Sequence, residues 1–322
     1  MSRQDILEYL GTDWDWTLAL IREQLHSDVS LLEETNSRIL SKFGKLLRPM
    51  VCLLFARAAG TCSQDSIQYA AATELLHNAT LLHDDVADNS AERRGRPTVV
   101  ALLGPSAAVL VGDFWLARAM DLVVRSERQD RAVALFSRTF SDLAEGEMLQ
   151  LAKAATGDTT EADYLRIIHG KTASLFSVAA RTGALSADAT PEQEAAAEAF
   201  GAAFGTAFQI QDDILDYAGT DALGKPLGVD LREQKITLPL LGALQGSPLE
   251  EQVRAQVRDI PAHPEYCAHI RAFVLKRDGI AYAARRLKEW VARAESALGA
   301  FPDSPAKAAL LEIARYTIRR QI

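Results

Sequence analysis

Cysteine is scarce in this chain, and its placement argues against two classes of protein at once. Cys52, Cys62 and Cys267 are the only three in 322 residues. They show no metal-ligand spacing, and any pairing leaves an odd one over, which suits a reducing compartment better than a disulfide framework. Proline and glycine are also few, at 11 and 19, and no proline falls between Pro105 and Pro191. Runs that alternate apolar and polar residues are nearly absent, which argues against β-architectures. No apolar run reaches membrane-spanning length, since the best candidate, AAVLVGDFWLARAMDLVV, is cut by Asp113, Arg118 and Asp121. The opening MSRQDILEYLGTDWDW places Asp5, Glu8 and Asp13 where a secretion signal needs an apolar core. A broad basic stripe is missing, and the formal net charge is −8, so no nucleic-acid partner is expected. These absences leave a cytoplasmic protein as the expectation.

What remains is the composition of a globular protein, with 48% hydrophobic and 24% charged residues. The proline-free stretch is rich in Ala, Leu, Arg and Glu with apolar residues at helical intervals, which predicts several long helices joined by short turns. Breaks are expected near 125–130 and at 156–160, where Gly157-Asp158-Thr159-Thr160 reads as a turn running into an N-cap. Phe200, Phe204 and Phe208 recur every four residues, a stripe that suits core packing before it suits the wall of a lipid pocket. No Ser/Gly/Pro-rich linker divides the chain. The expectation is all-α, with one large helical domain over residues 1–322.

One acidic pattern, Asp-Asp-x-x-Asp, occurs twice. Asp84, Asp85 and Asp88 lie in LLHDDVADNSAERRGRPT, and Asp212, Asp213 and Asp216 in AFQIQDDILDYAGTDALGKP. On a helix, residues i and i+4 share a face, so Asp84 meets Asp88 and Asp212 meets Asp216. Like charges at that spacing repel. One copy fits a solvated helix face as readily as a site. Two copies in apolar surroundings call for a counter-charge, and Mg²⁺ is the natural one, since carboxylates and substrate phosphates hold it jointly. Arg93, Arg94 and Arg96 follow the first copy and Lys225 the second. Acid for metal and base for phosphate describes a diphosphate site, expected where the two motifs face each other across a central cavity.

Other residues fit that reading. His77 lies seven residues before Asp84, two helical turns upstream on a similar face, although a lone histidine is more often a packing residue. Lys45 and Arg48 could be surface charges ahead of a helix that Pro49 starts, or part of a phosphate-facing turn with Gly44. His83 is offset from the acidic face and reads as structural. Asp113 reads as a helix-stabilising hydrogen bonder rather than a ligand.

The segments FGKLLRP, LLHNATLLHDDVADNSAERRGRPT, VGDFWLARA, AEGEMLQL, HGKTASLF, AFQIQDDILD and GKPLGVDLREQKITLP stand in the order found in the polyprenyl synthetase family. Almost end to end, the chain resembles a trans-type isoprenyl diphosphate synthase of that family, of the long-chain, octaprenyl-like kind. The resemblance implies the all-α isoprenoid synthase bundle with its central cavity, and Mg²⁺ as cofactor. Asp84, Asp88 and Asp212 would be the principal metal ligands, with Asp85, Asp213 and Asp216 completing the set. Arg93, Lys171 and Lys225 match positions that contact an allylic diphosphate, with Lys235 another cation nearby. Lys45, Arg48, His77 and Arg94 match the isopentenyl diphosphate site. Thr172 and Gln209 match polar positions along the path of an allylic cation.

Two departures stand out. Family members commonly carry a basic residue where this chain has Leu46, and a glycine where it has Gln234. The first weakens the isopentenyl site without removing it. The second bears on the loop that presents Lys235.

The growing tail would leave along the helix of the first motif, past Ala79 and Thr80, where short-product members carry a bulky aromatic. Both residues are small here, which implies all-trans products in the hexaprenyl to decaprenyl range. Phe114, Trp115, Met120 and Phe136 are candidates for the tunnel's floor. Geranylgeranyl diphosphate synthesis is the alternative product reading. A terpene cyclase shares the first acidic motif but uses a different second one. A non-catalytic subunit of a heteromeric synthase would tend to lose the motifs kept here. A homodimer is expected, with VGDFWLARAMDLVV as its candidate interface, and a long product could bring the protein near membranes.

Overall fold

Helix propensity and punctuation account for most of what the computed structural model contains; it describes residues 1–41, 44–93, 95–218 and 228–319. In chain order the helices are α1 (Arg3–Gln24), α2 (Ser30–Leu40), α3 (Leu47–Ala59), α4 (Gln64–Ala87), α5 (Val99–Leu103), α6 (Pro105–Val124), α7 (Gln129–Thr156) and α8 (Glu161–Ile168). After a π-helical turn, His169–Ala173, come α9 (Ser174–Ser186), α10 (Pro191–Ala218), α11 (Val229–Arg232), α12 (Leu238–Leu244), α13 (Glu250–Arg258), α14 (Tyr266–Lys276), α15 (Gly279–Ala297) and α16 (Pro305–Arg319). Among the described residues the only sheet is a two-residue hairpin, β1 (Glu92–Arg93) against β2 (Arg96–Pro97), with Arg93 opposite Arg96. The fold is all-α, as the sequence predicts.

Both predicted breaks occur, between Val124 and Gln129 and between Thr156 and Glu161. The second starts as expected. Thr160 caps α8, its hydroxyl accepting from the Asp163 N–H while the Asp163 carboxylate accepts from the Thr160 N–H, so two end donors are satisfied reciprocally. One boundary differs. The helix expected to start at Pro49 starts at Leu47 instead. Proline is tolerated at that third position because first-turn N–H groups have no helical partner.

The chain divides into two compact units. The first comprises Met1–Ser137, Val178–Ala197 and Ala300–Leu310. Its centre is α4, which packs most extensively on α6 and also on α1 and α3. Tyr69, Ala70, Ala71, Leu75, Leu76 and Ala79 are buried along it, so α4 is apolar over most of its circumference until the acidic motif at its end.

The second unit comprises Arg138–Ser177, Glu198–Gly299 and Leu311–Ile322. The phenylalanine stripe of α10 lies in its core: Phe204 meets Phe176 edge-on at 4.9 Å, with Phe200 and Phe208 on either side at 5.8 and 6.2 Å. Close approach of backbones positions the π-helical turn. A Cβ at Gly205 would come 2.5 Å from the Ala173 Cα, and one at Gly146 would come 3.0 Å from the Gly170 Cα. Only glycine permits that spacing, which seats the turn carrying Lys171 and Thr172 directly on α7 and α10.

Candidate active site

At the end of α4 the three carboxylates diverge. Asp84 is half-buried and Asp88, the residue that caps the helix, is exposed. Asp85 lies a hundred degrees round the helix and is buried. The Arg93 guanidinium donates to its Oδ1 at 2.7 Å. Burial pushes the Asp85 carboxyl above its ordinary range, and the charge and hydrogen bond of Arg93 pull it back. That partner lies on the first strand of the hairpin, and Gly95 at the turn adopts φ +71°. Arg96, across the hairpin, donates to the Ser41 hydroxyl at 2.7 Å. Arg94 lies outside the described residues.

His77 is half-buried two turns upstream of Asp84, and at the start of α3 Arg48 is half-buried and Lys45 exposed. Leu46 caps that helix in the left-handed region, φ +53°, with its side chain buried. The His83 side chain reaches α6. Its Nε2 lies 3.2 Å from the Asp113 carboxylate of α6. Asp113 thus links α6 to α4.

The second motif is held more tightly. Asp213 is buried, and both its oxygens are occupied: the Tyr164 hydroxyl donates to Oδ2 at 2.6 Å and the Gln209 amide to Oδ1 at 2.9 Å. The Thr172 hydroxyl donates to the other end of that amide at 2.9 Å. Asp216 accepts from the Val229 and Asp230 N–H groups at 3.0 and 3.2 Å. Asp212 remains half-buried on the motif's leading face.

Burial raises the Asp213 carboxyl to about 7 against its two donors, and raises Asp216 against its backbone partners. Asp230 is also raised well above its ordinary range, by burial first and then by the charges of Asp213 and Asp216. Lys171 pairs with Glu147 of α7, and Lys235 with Glu233. Gln234, where glycine is usual, adopts φ +57°. Its amide donates to the Arg258 carbonyl at 2.8 Å, a tie that holds a non-glycine residue in that region. Lys225 lies outside the described residues.

These carboxylates suit a divalent cation. Three buried or half-buried acids, Asp213, Asp216 and Asp230, lie close together: Asp216 raises Asp213, and both raise Asp230. Among the described residues no three acidic, histidine or cysteine side chains converge into a complete metal cage. A divalent cation held there would take its remaining ligands from water and substrate phosphates.

Glu147, Tyr164 and Asp230 were not singled out from the sequence. Glu147 stands in AEGEMLQL and Asp230 in GVDLREQK, two of the segments that carry the family resemblance. No spacing rule points to Tyr164.

Comparison with known proteins bears directly on this arrangement. The sequence model of the polyprenyl synthetase family matches residues 29–272. The chain is 38% identical to octaprenyl diphosphate synthase of Escherichia coli over 99% of both chains. It is 40% identical to the geranyl-diphosphate-specific all-trans-nonaprenyl-diphosphate synthase of Rhodobacter capsulatus, over 99% of this chain and 98% of that one. Its structure is similar to a polyprenyl synthase of Caulobacter crescentus solved with calcium and isoprenyl diphosphate, with TM-score 0.90 and 34% identity over 100% of this chain and 98% of that one.

Proposed function

We propose that this chain, which belongs to the polyprenyl synthetase family, is a chain-elongating prenyltransferase. It condenses isopentenyl diphosphate with an allylic diphosphate to make an all-trans polyprenyl diphosphate in the hexaprenyl to decaprenyl range. The observation that carries this reading is the shared design of the two acidic motifs. In each, the second aspartate is buried and tied back to the protein, Asp85 to Arg93 and Asp213 to Tyr164 and Gln209. Asp84 and Asp212, half-buried, and Asp88, exposed, lie at other positions of the two motifs and are the acids proposed to meet metal and diphosphate.

The proposed cofactor is Mg²⁺, which when bound neutralises the leaving diphosphate so that the allylic C–O bond can ionise. Asp84, Asp88 and Asp212 are the proposed principal ligands. Asp85, Asp213 and Asp216 support them as orienting carboxylates, the role outer partners play in metal sites. Lys171, Lys225 and Lys235 supply positive charge to the departing diphosphate, joined by Arg93 once substrate competes for it with Asp85. Lys45, Arg48, His77 and Arg94 bind isopentenyl diphosphate, whose double bond attacks the cation. The proton then lost passes to the released diphosphate. Thr172 and Gln209 line the cation's path with oxygen dipoles.

The test is incubation of the purified protein with isopentenyl diphosphate, Mg²⁺ and each allylic primer in turn, followed by product sizing. Products longer than farnesyl are expected. Arrest at farnesyl diphosphate would overturn the long-chain reading, and absence of any condensation would overturn the enzymatic one.

We also propose a homodimer. On α6, Leu110 is 68% exposed and Val124 49% exposed, and Ala117 lies exposed midway between them. That seven-residue spacing makes one apolar stripe suited to a symmetry-related copy. Sedimentation at micromolar concentration should show a dimer. Leu110→Lys should weaken it by about thirtyfold or more if the stripe is an interface hot spot. A wild-type monomer at that concentration would refute the assignment.

A further inference from the structure

Tyr164 lies one turn into α8, in a segment anchored from several sides. Asp163 closes the capping box with Thr160 and pairs with Lys153 at 3.0 Å, while Glu161 accepts from the Arg286 guanidinium at 3.0 Å and from the Tyr282 hydroxyl. The ring is buried and its hydroxyl reaches Asp213. None of these contacts involves the faces of Asp84 or Asp212, so the tyrosine acts on the reaction only through its neighbours.

The hydrogen bonds beyond Asp213 have a fixed sense. The Tyr164 hydroxyl donates to Asp213 Oδ2 and the Gln209 amide to Oδ1, so both oxygens of the carboxyl act as acceptors. The Gln209 amide has one donating and one accepting end. Placing its NH₂ on Asp213 turns its carbonyl oxygen to Thr172, whose single proton is then committed to that oxygen. The Thr172 oxygen therefore presents only lone pairs to any space it faces. Lone pairs favour a developing cation, whereas an O–H proton aimed the same way opposes it.

We propose that Tyr164 is a positioning residue for prenyl transfer: by holding Asp213 as an acceptor, it sets the orientation of the Gln209 amide and hence of the Thr172 hydroxyl. The assignment rests on the reading of Thr172 and Gln209 as residues that line the cation's path. Without the phenol, Asp213 Oδ2 is buried and lacks its donor. The uncovered Oδ2 then competes with Oδ1 for the Gln209 NH₂, which releases the amide to turn over.

The test measures the single-turnover rate of the first condensation, and KM for each substrate, at saturating Mg²⁺ on the full-length protein. Tyr164→Phe should lower the rate by about ten- to a hundredfold, the range usual for outer-shell partners. Both KM values should stay within about twofold, because Tyr164 touches neither substrate. Thr172→Val should lower the rate as well, and adding Tyr164→Phe to it should cost little more, since two changes on one chain of bonds do not multiply. Para-aminophenylalanine at position 164 keeps the ring and an N–H donor, and should restore most of the rate.

If Thr172→Val and Gln209→Leu both leave the rate unchanged, the cation-path reading fails whatever Tyr164 does. If they lower it while Tyr164→Phe does not, the positioning role alone is overturned. Effects of Tyr164→Phe and Thr172→Val that multiply, or a rise in KM at constant rate, overturn it too. Should Tyr164→Phe lose its helical signal, the para-aminophenylalanine protein decides: a rate near wild type supports the role and a tenfold loss overturns it.

Discussion

Replacing Asp84 or Asp212 with Ala is expected to abolish turnover while leaving the helical fold intact. Each carboxylate is half-buried on a helix face and contributes charge rather than packing volume. Charge stabilisation at a metal–diphosphate site is worth several kcal/mol, and each ~1.4 kcal/mol is tenfold in rate, so a loss of about a thousandfold or more is expected. Stability should move the other way, if at all. Asp84 and Asp88 repel at i,i+4, as do Asp212 and Asp216, and removing one member relieves a few tenths of a kcal/mol in the metal-free protein. Circular dichroism and thermal melts, run beside product assays at limiting Mg²⁺, separate the two effects. Near-normal activity in either variant under limiting Mg²⁺ would sink the metal-ligand assignment.

Ala79→Phe is expected to shorten the product by several isoprene units while sparing the first condensations. Ala79 is 1% exposed on α4, five residues before Asp84, and Leu76 beside it is fully buried. The Thr80 hydroxyl is turned back onto its own helix, donating to the His77 carbonyl at 2.8 Å, so it adds little bulk outward. A tail leaving the first acidic motif meets a small side chain at this level. A phenyl ring there fills space the tail would occupy and, as overpacking of a buried site, costs roughly 1–3 kcal/mol of stability.

Of the four candidates for the tunnel's floor, Met120 is half-buried on α6, and the other three have defined partners. The Trp115 indole donates to Asn36 of α2, and Phe114 stacks under the Arg118 guanidinium. Phe136 packs against Tyr69 of α4, ring centres 6.3 Å apart, ten residues before Ala79 and so about 15 Å further along the helix. On that depth we propose the Tyr69–Phe136 pair as the floor. Product sizing by chromatography checks the claim, and an unchanged product distribution in Ala79→Phe would show that the tail does not pass this residue.

The sequence by itself determined the helical class, the breaks on either side of α7, and the face each aspartate takes. All three follow from local rules: propensity and proline placement set the helices, Thr160 and Asp163 set a cap, and a rotation of a hundred degrees per residue separates Asp85 from Asp84. It also flagged Gln234 in place of the usual glycine, and the structure supplies the physical content, since Gln234 adopts positive φ, where a side chain is strained. Only the tertiary structure decided the partners. Asp85 with Arg93 spans eight residues, Lys171 with Glu147 spans 24, and Tyr164 with Asp213 spans 49. No periodicity links such positions, because a hydrogen bond across helices depends on how close two backbones come. In the second unit that approach is set by glycines, Gly146 against Gly170 and Gly205 against Ala173. A sequence displays those glycines without saying what they touch. The acids of the site are therefore local information, and their orientation is a property of packing.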